Sequence, residues 1–416
     1  MGYEYCLHLF FNVSLVIMMN KSKKTYFPLV FSPFASQLGS AIYVLGLNWL
    51  IVRTTGNTKL LGLIEGLGGL AFLLGDFLVG LLVDQYNRKK VLIWTDVVSA
   101  LMCFISGFYI NNQQPQIWLL VVITFILNLM LALNYPAAKA IAPEVVEKAH
   151  LQKFNAVSNT FFNLANVGAP LIGGVLLAVK NIDFSEFLII NAISYIGALL
   201  MNLLIPYKKN QKEKKIKRES IITSTLIGFK YVKGHPNLLM YMLAMGFFNF
   251  CYAGFLLAAP YIAHHFFEGV STSYGLFLTI SAIGALLGGL WLTFQKSEVT
   301  SQRIYYEQLI YGFVLIICGT FLSLFTWILI ALSYGIFQAR FFGSITTFIQ
   351  NETDIKFLGR IFGLTFLFFD GVQPVGDFIF GFFISSWQQW TYVVLGTFLV
   401  VFFSLLLYFK KNKLSN

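Results

Sequence analysis

The chain has 416 residues, 57% of them hydrophobic and 11% charged, with a mean hydropathy of +0.73. A soluble globular domain carries about 25% charged residues, so the composition excludes a soluble fold and describes a polytopic membrane protein. The net charge of +11 is no sign of nucleic acid, because a polytopic chain gathers Lys and Arg in its cytoplasmic loops.

Residues 1–18 are apolar, but Glu4 and the lack of a base before the apolar run make a poor signal peptide. The run is also short of the ~20 residues a crossing needs. Met18 and Met19 directly precede NKSKK, so residues 1–18 read as an upstream extension or an interfacial segment. Twelve apolar runs follow, at about 27–52, 59–83, 90–110, 116–138, 155–179, 185–206, 238–264, 272–294, 303–322, 324–350, 358–384 and 388–409. With the N-terminus inside, the inner connections hold Arg88, Lys89 and Lys90, Lys139, Lys148 and Lys153, Lys208 through Lys233, Lys296 and Arg303, and Lys356 and Arg360. Lys410, Lys411 and Lys413 follow in the tail, and the outer connections hold only Arg53, Lys59 and Lys180. This bias predicts a cell-membrane protein with both termini cytoplasmic.

YKKNQKEKKIKRES, residues 207–220, is the longest polar run and divides the chain in half. Beyond it Ile222, Leu226, Phe229 and Val232 recur at helical spacing with Lys230 and Lys233 between them, which predicts a short helix on the inner surface, drawn to anionic lipid. The expected organisation is an N-terminal segment (1–24), a six-helix bundle (25–206), a basic linker with its interfacial helix (207–237), a second six-helix bundle (238–410) and a tail (411–416). Residues 151–174 can be laid over 358–381, with Leu151 on Leu358, Lys153 on Arg360 and Gly174 on Gly381. Parallel six-span repeats imply two bundles related by an axis along the membrane normal, with a substrate path between them.

Cys6, Cys103, Cys251 and Cys318 are scattered, and His264 and His265 are adjacent and so point to different faces. Neither a disulfide framework nor a metal site is expected. There is no GxxxxGK[ST] phosphate loop for direct ATP drive, and no HExxH or Ser-His pair at useful spacing for an intramembrane enzyme. No cofactor is expected.

GLLVDQYNRKK, residues 80–90, concentrates one acid and three bases between two crossings. It resembles the signature between the second and third spans of the major facilitator superfamily, with Gly80, Leu82, Asp84, Arg88 and Lys89 in place. Gln85 stands where a base is usual and Asn87 where Gly is usual; Asn tolerates a left-handed backbone, so the turn is expected to survive. The resemblance implies that Gly80 lets a helix approach, that Asp84 faces a helix N-terminus of the other half and that Arg88, Lys89 and Lys90 mark the cytoplasmic side. NVGAPLIGG (166–174) resembles an exporter signature through Ala169, Pro170, Gly173 and Gly174, residues that equally suit close helix packing. RKKVLIWTDVVSAL, with Asp96, and GFKYVKGHPNL resemble the macrolide-efflux-like exporters. Related proton-coupled exporters carry an Arg in span four, where Leu127 or Asn128 stands here.

An ionisable group at membrane depth costs at least ~2.5–3.5 kcal/mol on insertion scales, which singles out Glu65, Asp76, Asp96, Arg340, Asp370 and Asp377. Asp370 lies about 15 Å past Arg360, and Arg340 is comparably deep, so the two are expected to pair. Asp370 and Asp377, seven apart, should share a face of span eleven. Asp96 is expected to bond to the signature loop, with Asp76 doing likewise. Glu65 lies about 28 Å from Asp84 toward the outside, and the resemblance implies that it meets Asp377 where spans two and eleven adjoin. Two acids in one low-dielectric site share a proton readily, which makes them candidate proton carriers. The resemblance also places Tyr43, Asn48, Trp49, Asn128, Asn134, Asn249, Tyr252 and Gln338 on cavity-lining spans, a set suited to an amphipathic cargo.

The expected function is proton-coupled efflux of a small amphipathic, macrolide-like molecule by alternating access, in a monomer whose partners are the substrate, protons and membrane lipids. A siderophore, metallophore or lysophospholipid cargo is the alternative within the same fold. A transport-inactive membrane scaffold or sensor is the alternative of another class.

Overall fold

A computed structural model of the chain describes residues 26–85, 87–110, 114–179, 182–207, 221–267, 271–295, 299–354 and 357–414. Residues 1–18, Cys6 and the basic run from 208 to 220 lie outside them. The regular structure of the described residues is helical throughout: α1 (Phe27–Thr55), α2 (Thr58–Gln85), α3 (Arg88–Tyr109), α4 (Ile117–Val145), α5 (Lys148–Ala178), α6 (Phe184–Leu204), the short α7 (Ile221–Lys233), α8 (Pro236–Phe266), α9 (Ser271–Phe294), α10 (Ser301–Thr320), α11 (Leu324–Glu352), α12 (Leu358–Asp370), α13 (Gln373–Trp387) and α14 (Thr391–Leu414).

Local chemistry sets the ends of these helices. Proline opens α1 and α8, where its missing N–H costs nothing. Gly56 closes α1 at φ 61°, a left-handed turn suited to glycine. Thr300 caps α10 through the Arg303 N–H, and Ser323 caps α11 through the Thr326 N–H.

Ten stretches among the described residues are long and apolar enough to cross a membrane by length and composition. One of them, Arg360–Lys411, runs through α12, α13 and α14 and holds the last two predicted crossings. α10 falls outside the ten; its first half carries Arg303, Tyr305, Glu307 and Gln308. Each of the twelve predicted spans nonetheless coincides with a helix or, for span eleven, with the pair α12 and α13.

The packing repeats itself. In the first half α1 lies on α5 and α6, α2 on α4, and α3 on α4 and α6. In the second half α8 lies on α13 and α14, α9 on α11, and α10 on α11 and α14. Each pair in one half has its counterpart in the other. The halves meet chiefly through α2 against α13 and α5 against α9.

Span eleven departs from the expectation of one straight helix. It breaks at Gly371–Val372, just before Pro374, which removes one backbone hydrogen bond and crowds the turn behind it. Asn249 of α8 donates to the Phe369 carbonyl at 2.6 Å, satisfying a backbone group next to the break, as a membrane helix requires. Asp370 ends α12 and Asp377 lies within α13, on either side of a turn whose Gly371 and Val372 keep right-handed helical dihedrals.

Candidate functional site

The junction of the halves is tightest at the end that carries the α1–α2, α5–α6 and α8–α9 connections. There α2 presents Thr58, Gly62, Gly66 and Gly69 to α13. The Thr58 hydroxyl donates to the Gly381 carbonyl at 2.9 Å. A Cβ on Gly62 would stand 2.7 Å from the Gly381 Cα, and one on Gly66 2.8 Å from the Phe378 ring. Small residues are needed here because two backbones approach each other. α5 and α9 meet in the same way: a Cβ on Gly275 would stand 2.9 Å from the Gly174 Cα, and the Ser271 hydroxyl donates to the Leu177 carbonyl. Trp49 of α1 stacks on Tyr274 of α9 with centroids 6.0 Å apart and meets His264 of α8 edge-on.

Beneath this seal the carboxyl groups of Glu65 and Asp377 come within electrostatic reach of each other from opposite halves. Asp377 is only 5% exposed. The Asn48 amide, oriented to suit its neighbours, donates to Glu65 Oε1 at 2.6 Å and to the Val44 carbonyl at 3.1 Å. The Tyr274 hydroxyl bonds to Asn48, and Tyr252, stacked on Tyr334 at 5.6 Å, interacts with both acids. Further along α2, Asp76 is exposed and interacts with Asp370 across the junction. α2 and span eleven therefore each bring two acids to the junction.

The expected Arg340–Asp370 pair is not formed. Arg340 is 0% exposed and grips Glu307 of α10 with both ends of its guanidinium, Nε to Oε2 at 2.8 Å and Nη2 to Oε1 at 2.6 Å. Nη2 also donates to Gln295 at 3.0 Å, and the guanidinium lies 4.0 Å over the Trp291 ring. Spans ten and eleven are consecutive in the chain, yet α11 packs on α9 and α10, which turns Arg340 away from Asp370. Sequence reasoning missed Glu307, whose signal was an acid four residues beyond Arg303 inside a crossing.

Asp96 also departs from expectation. Its carboxylate is buried and accepts from Asn134 at 2.9 Å and Asn202 at 2.6 Å, with the Ser36 hydroxyl at 3.5 Å. It joins α1, α3, α4 and α6 rather than bonding to the signature loop. Asn134, which also donates to Thr95, belongs to this buried network and not to a cavity wall.

In that loop Asn87 is extended, with φ −71° and ψ 113°, and caps α3 by accepting the Lys90 N–H. A left-handed turn is therefore not used at this position. Arg88 pairs with Glu144 and donates to the Ala140 carbonyl. Lys89 donates to the Leu203 and Ile205 carbonyls, both at 2.8 Å, placing its charge at the negative end of α6. Lys90 is exposed. The Gly80 surroundings and the Asp84 side chain lie outside the described residues.

Of the exporter-like residues, Ala169 is buried, Pro170 lies inside α5, and Gly173 packs against Leu45 while Gly174 meets Gly275. Among the cavity candidates, Asn48, Trp49 and Tyr252 surround the Glu65–Asp377 pair. Tyr43 bonds to the Thr124 hydroxyl at 2.9 Å, and Asn128 donates to the Thr124 carbonyl and faces Gly68 of α2. Gln338 bonds to the Tyr334 hydroxyl. Asn249 is committed to the break in span eleven.

Two helical halves meeting at a glycine-lined seam, with acids from both beneath it, make up a polytopic membrane protein built from two matching bundles. The family model of the Major Facilitator Superfamily matches residues 29–376, and the chain belongs to that family. It is 22% identical over 363 residues to macrolide efflux protein A of Streptococcus pyogenes, covering 86% of this chain and 88% of that one. It is 25% identical over 312 residues to the staphyloferrin A transporter of Staphylococcus aureus, covering 71% and 76%. Among solved structures, a bacterial homologue of the human lysosomal transporter Spinster superposes with a TM-score of 0.75 at 13% identity, covering 93% of this chain and 96% of that one.

Proposed function

We propose that this transporter exports a small amphipathic molecule, macrolide-like in character, in exchange for protons. The carrying observation is the Glu65–Asp377 pair: two acids from opposite halves, with no Lys or Arg among their described partners, Asp377 buried and Glu65 half-buried at the seam. Two carboxyls that repel each other in a low-dielectric site hold one proton more readily than two negative charges. With both termini taken as cytoplasmic from the loop charges, the sealed end faces outward and the chain rests closed to the exterior. Proton release then requires the seam to open, which links proton movement to rocking of the halves. The chain works as a monomer, since one copy holds both halves of the path.

A siderophore-like cargo is the second reading, supported by the resemblance to the staphyloferrin A transporter. Proteoliposomes with an imposed pH gradient, screened with a macrolide and with a carboxylate siderophore, decide between them. The first reading expects gradient-driven macrolide movement that is lost in Glu65→Gln and Asp377→Asn. Undiminished movement in the double variant removes the pair from coupling, and movement of the siderophore alone establishes the second cargo. Movement of neither, in protein that folds, favours a scaffold or sensor.

A further inference from the structure

α7 has two faces with different partners. Its inner face is docked: a Cβ on Gly228 would stand 2.7 Å from the Leu364 side chain of α12, and Val232 is buried. The Tyr231 ring stacks on Phe357 at 4.4 Å and on His235 at 4.1 Å. Its hydroxyl accepts the Asp354 N–H at 3.1 Å. Phe229 reaches Phe368, with centroids 6.2 Å apart, two residues before Asp370. The outer face carries Leu226, Lys230 and Lys233, spaced four and three residues apart and therefore aligned along the helix. Leu226 is 63% exposed and both lysines are exposed. One turn, closed by Gly234 N–H to the Tyr231 carbonyl and His235 N–H to the Val232 carbonyl, joins α7 to the membrane-crossing α8, so α7 sits at the bilayer boundary.

We propose that the outer face of α7 binds the headgroups of anionic glycerophospholipids, and that its docked face passes this binding to α12, so that lipid charge sets the position of the Asp370 segment. An apolar side chain beside two lysines suits the headgroup boundary: the leucine enters the acyl region and the ammonium groups meet phosphate. The mechanical link is the Tyr231–Phe357 stack at the start of α12 and the Gly228–Leu364 contact at its middle. Control of transport by lipid charge rests on the transport reading above; binding and coupling do not.

The test places the full chain in nanodiscs of phosphatidylcholine with rising fractions of phosphatidylglycerol and follows hydrogen exchange in residues 221–233 and 357–370. In the unaltered protein, protection of both segments should rise with the anionic fraction. Lys230→Gln/Lys233→Gln should abolish that dependence in both while leaving exchange in the other helices unchanged. Tyr231→Ala, with Phe229→Ala as a second variant, should keep the dependence in α7 and lose it in 357–370. Exchange in α7 that ignores the anionic fraction, or a double-lysine variant that responds like the parent, overturns the binding. A response of 357–370 that survives both aromatic substitutions overturns the coupling. Exchange is read without substrate, so failure of the efflux reading leaves these outcomes intact.

Discussion

Replacing Glu307 with alanine strands the Arg340 guanidinium. Arg340 has no exposed surface, and Glu307 supplies two of its three hydrogen bonds, at 2.8 and 2.6 Å. Removing one partner of a buried pair costs ~3–5 kcal/mol. Gln295 and the face of Trp291 remain, which places the expected loss near the low end, ~3 kcal/mol. The Arg303 contact at 3.4 Å adds little to this figure, because Arg303 is 41% exposed. Removing both charges in Glu307→Leu/Arg340→Met leaves no stranded ion, so the double variant should lie within ~1 kcal/mol of the parent. Thermal unfolding of the detergent-purified protein, followed by fluorescence size-exclusion, should show a drop of several degrees for the single variant and recovery of most of it in the double. A single variant with an unchanged midpoint, or a double variant less stable than the single, would refute the reasoning.

Gly275→Val should force the seam open, because the new side chain meets the Gly174 backbone. Overpacking of ~1–3 kcal/mol shifts the balance of states by roughly 5- to 150-fold, read as faster labelling of Ser271→Cys by an impermeant maleimide. Asp96→Asn should destabilise the first half by ~1–3 kcal/mol, since its new NH₂ faces the amide donors of Asn134 or Asn202; an unchanged melting midpoint would contradict this. Lys89→Gln should lower stability by ~0.5–2 kcal/mol through loss of the Leu203 and Ile205 carbonyl contacts. Lys90→Gln, at an exposed position, serves as its neutral control in the same melting assay.

Much of the fold was legible because lipid imposes a simple rule: a crossing must be long, apolar and internally hydrogen-bonded. The hydrophobic runs located the long helices among the described residues, helical spacing located the short α7, and the aligned segments at 151 and 358 announced the repeat that the paired packing displays. The site was less legible. Glu65 could be placed in depth by counting residues along α2, but its neighbour Asn48 lies on another helix. Glu307 looked unremarkable in a crossing that is among the least apolar, and only the approach of α10 to α11 reveals that it neutralises Arg340. Asn134 and Asn249 read as cavity polars until their partners, Asp96 and the Phe369 carbonyl, were seen.

The sequence by itself determined that the chain crosses the membrane many times, where each charge lies along its helix and which superfamily signature it carries. Tertiary structure decided which way each charge faces. Helical spacing fixes height and face relative to one axis, whereas a partner across 2.6 Å is chosen by the rotation and tilt of a second helix. That is why Arg340 went to Glu307 and Asp96 to a ring of neutral donors.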